Sequence, residues 1–268
     1  MNPDPNKVDW DEAASSFAGE GRHELWRRYS DRVNSALLEA WLPERGMQRL
    51  LKTDLFDEAT AEGLYPLLAK FSSRVDGVDI AATAVEAAAR RYPELKTRQA
   101  DLRDLPFEDQ AFDCVVSNST LDHFHERADI HRAVQELYRV TRPGGHLVIT
   151  MDNVQNPLVW LRNHLPQPWL QELGLVPYFV GRSLTRSGLV DTLEQAGLDI
   201  IECDAVMHCP RVISVARATK IQERGDVQRQ QRYLDRLQAW ERLRALPSRY
   251  FTGHFIAVKA RRPAQHQR

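Results

Sequence analysis

Two aspartates stand where apolar runs end. Asp79 closes Val75-Asp76-Gly77-Val78 and precedes Ile80; Asp101 follows Gln99-Ala100 and precedes Leu102. A carboxylate at the carboxyl end of a parallel strand can accept from both hydroxyls of a ribose. A second one, one strand along, can accept from an exocyclic amine while Ile80 and Leu102 cover the faces of the base. The separation of Asp79 from Asp101 leaves room for one helix and one strand. Taken singly, each has a plainer reading, Asp79 as a helix N-cap and Asp101 as a turn residue. Their order, followed by the apolar phrase Phe112-Asp113-Cys114-Val115-Val116-Ser117-Asn118, favours a grip on a nucleoside.

The elements that must position these acids are legible as alternating patterns. Leu25, Tyr29, Val33, Leu37 and Trp41 recur at four-residue spacing and predict an amphipathic helix over 22–41. Strands are expected over 48–52, 74–79, 95–100, 112–117, 145–151, 198–207 and 255–259. Helices are expected over 59–70, 81–92, 128–140, 186–196 and 222–243. Strands alternating with helices imply parallel pairing through crossovers. The run 154–183, with Pro157, Pro166, Pro168, Pro177 and several aromatics, breaks the rhythm and reads as a lid or a substrate-side insertion.

Composition excludes several classes. Hydrophobic residues make 43% and charged residues 27% of 268, as in a soluble globular protein. Lys+Arg of 36 against Asp+Glu of 37 argues against a nucleic-acid partner held mainly by phosphate contacts. No run is long and apolar enough to span a bilayer, and the acidic, polar start is no signal peptide, so a cytoplasmic location is expected. Cys114, Cys203 and Cys209 make neither a disulfide framework nor a metal site, and no metal is expected. The charged helix over 222–243 offers a surface for a homodimer.

The phrases GVDIAATAVEAAARRYP, ADLRDLPFEDQAFDCVVSNSTLDHF and ELYRVTRPGGHLVIT resemble the class I S-adenosylmethionine-dependent methyltransferases of the small-molecule type. The resemblance is specific over about 75–151. It implies an α/β, doubly wound, seven-stranded, mostly parallel sheet of the Rossmann-like methyltransferase fold. The antiparallel strand is the one near the C-terminus. An N-terminal helical cap over 1–45 would precede a domain over 46–268, with insertions at about 154–183 and 211–247. It also implies S-adenosyl-L-methionine as cofactor, with Asp79 on the ribose, Asp101 and Leu102 on the adenine, and Ser117 and Asn118 beside the reacting sulfonium. The implied reaction is methyl transfer to an oxygen or nitrogen of a small or carrier-linked metabolite.

The departure lies in the first loop, where the family has an acid and then a glycine-rich turn. Here the run is LLKTDLFDEATAEGLYPLLAK, with Asp54 near the family's first acid and Gly63 as its one glycine. Either the loop is rebuilt, with Lys52 or Thr53 meeting the cofactor carboxylate, or the cofactor site is lost and the sheet serves as a binding or assembly module. After the fourth strand, Leu121-Asp122-His123-Phe124-His125 offers His123 as a general base, with Asp122 as a second candidate. Scaffold is the alternative for both. Asp152 and Asn153 either orient an acceptor or cap a loop. A nicotinamide-dependent oxidoreductase is disfavoured, because the glycine fingerprint for a pyrophosphate is absent.

Overall fold

A computed structural model of the chain describes residues 10–11, 23–43, 46–165 and 181–264. Seven strands form one sheet in the order β3-β2-β1-β4-β5-β7-β6. They are β1 (Leu50–Thr53), β2 (Val75–Asp79), β3 (Lys96–Gln99), β4 (Phe112–Asn118), β5 (Thr141–Asp152), β6 (Asp199–Val206) and β7 (Phe255–Arg261). β1 runs parallel to both β2 and β4, β2 to β3, and β4 to β5. β7 pairs antiparallel with β5 on one side and β6 on the other, the role expected for the terminal strand.

Residues alternate between the two faces, and both faces are covered. Leu50, Val116, Val148 and Ala257 point to one side. They pack with α1 (Glu24–Trp41), whose Leu25, Tyr29, Val33, Leu37 and Trp41 are all buried as the four-residue stripe predicts. Leu51, Val115, Leu147, Ile149, Ile256 and Val258 point to the other side, toward α5 (Arg127–Val140) and α7 (Arg186–Gln195). Burial on both faces explains why these strands read as near-continuous apolar runs. α1 shares a core cluster with the sheet, so the helical cap is packed onto the domain rather than set apart from it.

Three expected elements differ. The first crossover is not one helix over 59–70 but two short ones, α2 (Phe56–Thr60) and α3 (Tyr65–Leu68), parted at Gly63 and restarted with Pro66 in the first turn. The helix expected over 222–243 is α9 (Val227–Trp240), starting later than expected, and an unexpected helix, α8 (Arg211–Glu223), precedes it. They are parted at Gly225, and the Asp226 side chain caps α9 by accepting from Arg229 N at 3.0 Å. The insertion after β5 begins with α6 (Pro157–His164), capped by Asn156; of the span expected for it, residues 166–180 lie outside the described residues. α4 (Ala82–Arg91) and α10 (Arg249–Thr252) complete the regular helices used below.

Candidate functional site

The register brings the predicted residues to one edge. Thr53 lies opposite Val78 on one side and Ser117 on the other, so Asp54, Asp79 and Asn118, each one residue further on, form a row past the strand ends. The strand order reverses between β1 and β4, and ligands of open α/β sheets bind in such a crevice. Asp79 is half-buried. Its Oδ2 accepts from Leu55 N at 2.7 Å and its Oδ1 from Ala81 N at 2.8 Å, which leaves each oxygen a second lone pair. Burial raises its carboxyl above the ordinary range, against the pull of those two N–H groups. Thus the capping reading and the ligand reading of Asp79 coexist in one side chain.

The first loop keeps a glycine-like backbone without the glycine. Asp54 adopts φ 71°, in the left-handed region, and its side chain accepts from Phe56 N at 2.9 Å. Burial and the Asp79 carboxylate hold Asp54 well above the ordinary carboxyl range. The loop interior is filled by an ion pair, Lys52 Nζ to Glu58 Oε2 at 2.8 Å, with both side chains at 2% exposure or less. Lys52 also donates to the carbonyl of Asp54. Burial pulls the Lys52 ammonium down, but the carboxylates of Glu58, Asp54 and Asp57 reverse this and hold it above its usual range. Lys52 is therefore not placed to meet a cofactor carboxylate. Thr53 is also engaged, bonding Ser117 Oγ and Thr120 Oγ1 at 2.9 Å each. From α1, Asp31 joins this acid-rich cluster; burial and the Asp57 and Glu58 carboxylates push it up to about 8.

Gly63, expected at the cofactor, instead packs on Glu58. A Cβ there would lie 2.7 Å from Glu58 Cδ, and the residue sits at φ 67°. The space a side chain would take is what lets Glu58 Oε1 accept from Leu64 N at 2.8 Å and Tyr65 N at 3.1 Å. Gly63→Ala is expected to destabilise the fold by about 2 kcal/mol through the strained φ and the displaced carboxylate. Urea unfolding checks this; an unchanged midpoint would show that the loop relaxes freely.

Of the two apolar residues beside Asp79 and Asp101, Ile80 is 46% exposed and Leu102 is buried in the core. Asp101 is less free than its position suggests. Arg103 approaches it through its backbone N (2.9 Å), Nε (3.0 Å to Oδ1) and Nη2 (2.6 Å to Oδ2), and this guanidinium, outweighing burial, holds the carboxyl below its usual range. Arg103 also reaches Asp129 at 3.2 Å. Ser117 is buried, and Asn118 Oδ1 accepts from Thr150 Oγ1 at 2.7 Å.

Beyond β4, the two base candidates part company. The His123 ring meets Trp10 edge-on, with centroids 4.8 Å apart. Asp122 is buried, and its Oδ2 accepts from Ser119 Oγ and Asp152 N, both at 2.9 Å. Asp122 is thus walled off from an acceptor, and a catalytic role for it is corrected to one of positioning the loop. Asp152 and Asn153 are buried as well. Asp152 bonds Arg162 of α6 at 2.5 Å and lies 3.3 Å from His254 Nε2, which Arg211 of α8 approaches at 3.0 Å. One carboxylate at the end of β5 therefore ties both insertions to the site edge.

Burial holds His254 down to about 4, so the ring is neutral at pH 7 and can accept from Arg211. An unfolded His takes up its proton near pH 6.5, so the unfolded state binds more protons between the two values and stability falls as pH falls through that window. The expected loss from this group between pH 7 and pH 5 is about 2 kcal/mol. His254→Gln should remove that part of the pH dependence in urea unfolding; equal slopes in both proteins would refute it.

Sequence reasoning missed Glu58, Arg103 and Trp10. A lysine inside the apolar run LLKT was a usable signal for Glu58, since a buried ammonium must find a carboxylate. Nothing comparable marks Trp10. Among the described residues no His, Cys, Asp and Glu cluster could hold a metal ion, and no helix is long and apolar enough to cross a membrane.

Residues 59–149 match the family model described as a methyltransferase domain. A Mycolicibacterium smegmatis protein named a probable S-adenosylmethionine-dependent methyltransferase is 27% identical over 166 residues, 62% of this chain and 59% of that protein. A demethylmenaquinone methyltransferase of Thermus thermophilus is 37% identical over 131 residues, 46% of this chain and 52% of that protein. The chain thus spans less than two thirds of either relative's length. Among solved structures, the geranyl diphosphate C-methyltransferase of Streptomyces coelicolor, in complex with Mg2+, geranyl diphosphate and S-adenosyl-L-homocysteine, matches with a TM-score of 0.58. That match covers 97% of this chain and 86% of that one at 17% identity, which speaks for the fold.

Proposed function

We propose that this chain is a class I S-adenosylmethionine-dependent methyltransferase that transfers a methyl group to an oxygen or nitrogen of a small or carrier-linked metabolite; the methyltransferase-domain match over 59–149 and the relatives named above support the reading. The observation that carries this reading is Asp79, a half-buried carboxylate at the strand-order switch whose two oxygens each keep an accepting lone pair.

When bound, S-adenosylmethionine supplies an electrophilic methyl on a sulfonium. In this reading Asp79 accepts from the ribose hydroxyls, and Ile80 and Leu102 cover the adenine faces. Asp101 takes the exocyclic amine alongside Arg103. At the methionine end the fit is electrostatic rather than glycine-borne: Asp54, beside Asp79, makes a setting suited to cationic groups, while the Lys52–Glu58 pair keeps the loop rigid. Ser117 and Asn118 line the reacting side. His123 removes the proton of a hydroxyl acceptor, and Asp122, through Ser119 and Asp152, positions its loop. Holding acceptor and methyl in line supplies most of the acceleration.

Calorimetry with S-adenosylmethionine and S-adenosylhomocysteine tests the reading. Saturable heat from both is expected; silence up to about 1 mM ligand would overturn it. The filled loop interior favours one competing reading, a methyltransferase-like module kept for binding or assembly. That reading predicts the silent result.

A further inference from the structure

A cavity of about 640 Å³ opens between the start of α5, the end of α6 and the start of α7, apart from the carboxylates of the nucleoside grip. Its size suits a small molecule. Among the described residues its lining includes two arginines, Arg127 and Arg182, and three histidines, with one carboxylate, that of Asp191. Other arginines of the chain are engaged by carboxylates: Arg103 by Asp101 and Asp129, Arg139 by Glu136 and Asp109, Arg162 by Asp152. Arg127 and Arg182, by contrast, form no ion pair among the described residues. Among the described residues the Arg182 guanidinium donates to a carbonyl, that of His125, at 3.3 Å. The balance of charge in the cavity is that of a site for an anion, and arginine is the side chain whose planar fork fits a carboxylate or a phosphate.

The cavity wall is continuous with the loop that carries His123. Arg182 N donates to the Phe124 carbonyl at 2.7 Å. A Cβ on Gly181 would lie 2.3 Å from that oxygen and 2.8 Å from the Asp122 carbonyl, so only glycine permits this approach. His125, two residues past His123 and across the extended Phe124 (φ -76°, ψ 140°), is among the residues that line the cavity.

We propose that this cavity binds the phosphate or carboxylate group of a small molecule, with Arg127 and Arg182 as its anchors. The assignment stands on the cavity itself and does not need the methyl-transfer reading.

Inorganic pyrophosphate and citrate, titrated calorimetrically into the full chain, are the probes. Saturable binding of at least one is expected, weakened about a hundredfold in Arg127→Gln/Arg182→Gln, each lost charged hydrogen bond accounting for roughly tenfold. Thermal melting and S-adenosylhomocysteine binding, both expected to be unchanged, control for folding. Repeating the titration with S-adenosylhomocysteine present separates two sources of the anionic group. Tighter binding marks it as part of the methyl acceptor, by reciprocal coupling, and equal binding marks a separate ligand. No heat from either probe, or equal affinity in the double variant, would overturn the site. Failure of the methyl-transfer reading would show instead as silence toward S-adenosylhomocysteine alone.

Discussion

Asp79→Asn is expected to weaken S-adenosylhomocysteine binding by about a hundredfold, two hydrogen bonds to a charged acceptor being lost or reduced to neutral strength. The carboxylate has a double task. Inward, it accepts from Leu55 N and Ala81 N, which sets the first loop against the start of α4. Outward, it offers the remaining lone pairs to a ribose. An amide keeps one accepting oxygen and turns its NH2 toward one of the two backbone N–H groups, so the variant should also lose about 1–3 kcal/mol of stability. Calorimetry reads the first effect and thermal melting the second. A folded variant that binds as tightly as the wild type would remove Asp79 from the site.

Glu58→Gln carries the largest expected effect on the fold. The amide oxygen can still accept from Leu64 N and Tyr65 N, so the substitution removes charge and little else. Lys52 is then left fully buried with its nearest counter-charge gone. Breaking one side of a buried pair costs about 3–5 kcal/mol, which for a chain of this size lowers the melting temperature by roughly 10 °C. Adding Lys52→Met, which removes the stranded ammonium, should recover most of the loss, since a buried pair replaced by apolar groups is often neutral. A single variant melting within about 1 °C of the wild type would mean that water reaches Lys52. The same pair of variants speaks to the loop's role. Recovery of stability without recovery of cofactor binding would show that the charge pair shapes the methionine end of the site.

Much of this protein was legible in its residue order. The alternation of strands with helices, the α1 stripe and the row of acids at the sheet edge follow from periodicities that the backbone geometry imposes, and the antiparallel β7 from the family resemblance. Where prediction slipped, a local break competed with a longer pattern. Gly63 and Pro66 divide the first crossover, and Gly225 delays the start of the helix expected over 222–243 to Val227. Gly63 shows the limit most clearly: its presence was read as a remnant of a ligand-facing loop, while its missing side chain serves Glu58.

The sequence by itself determined the fold and the positions of Asp79 and Asp101, because strand ends and acid placement are local matters of pattern. Only the tertiary structure decided how those acids are used. It put Arg103 on Asp101, buried Asp122 behind Ser119 and Asp152, locked Lys52 to Glu58, and set Arg127 and Arg182 around one cavity. The physical reason is that each of these facts depends on which charge meets which across distant segments. A carboxylate's availability is set by the donors packed around it in three dimensions, and no spacing along the chain records them.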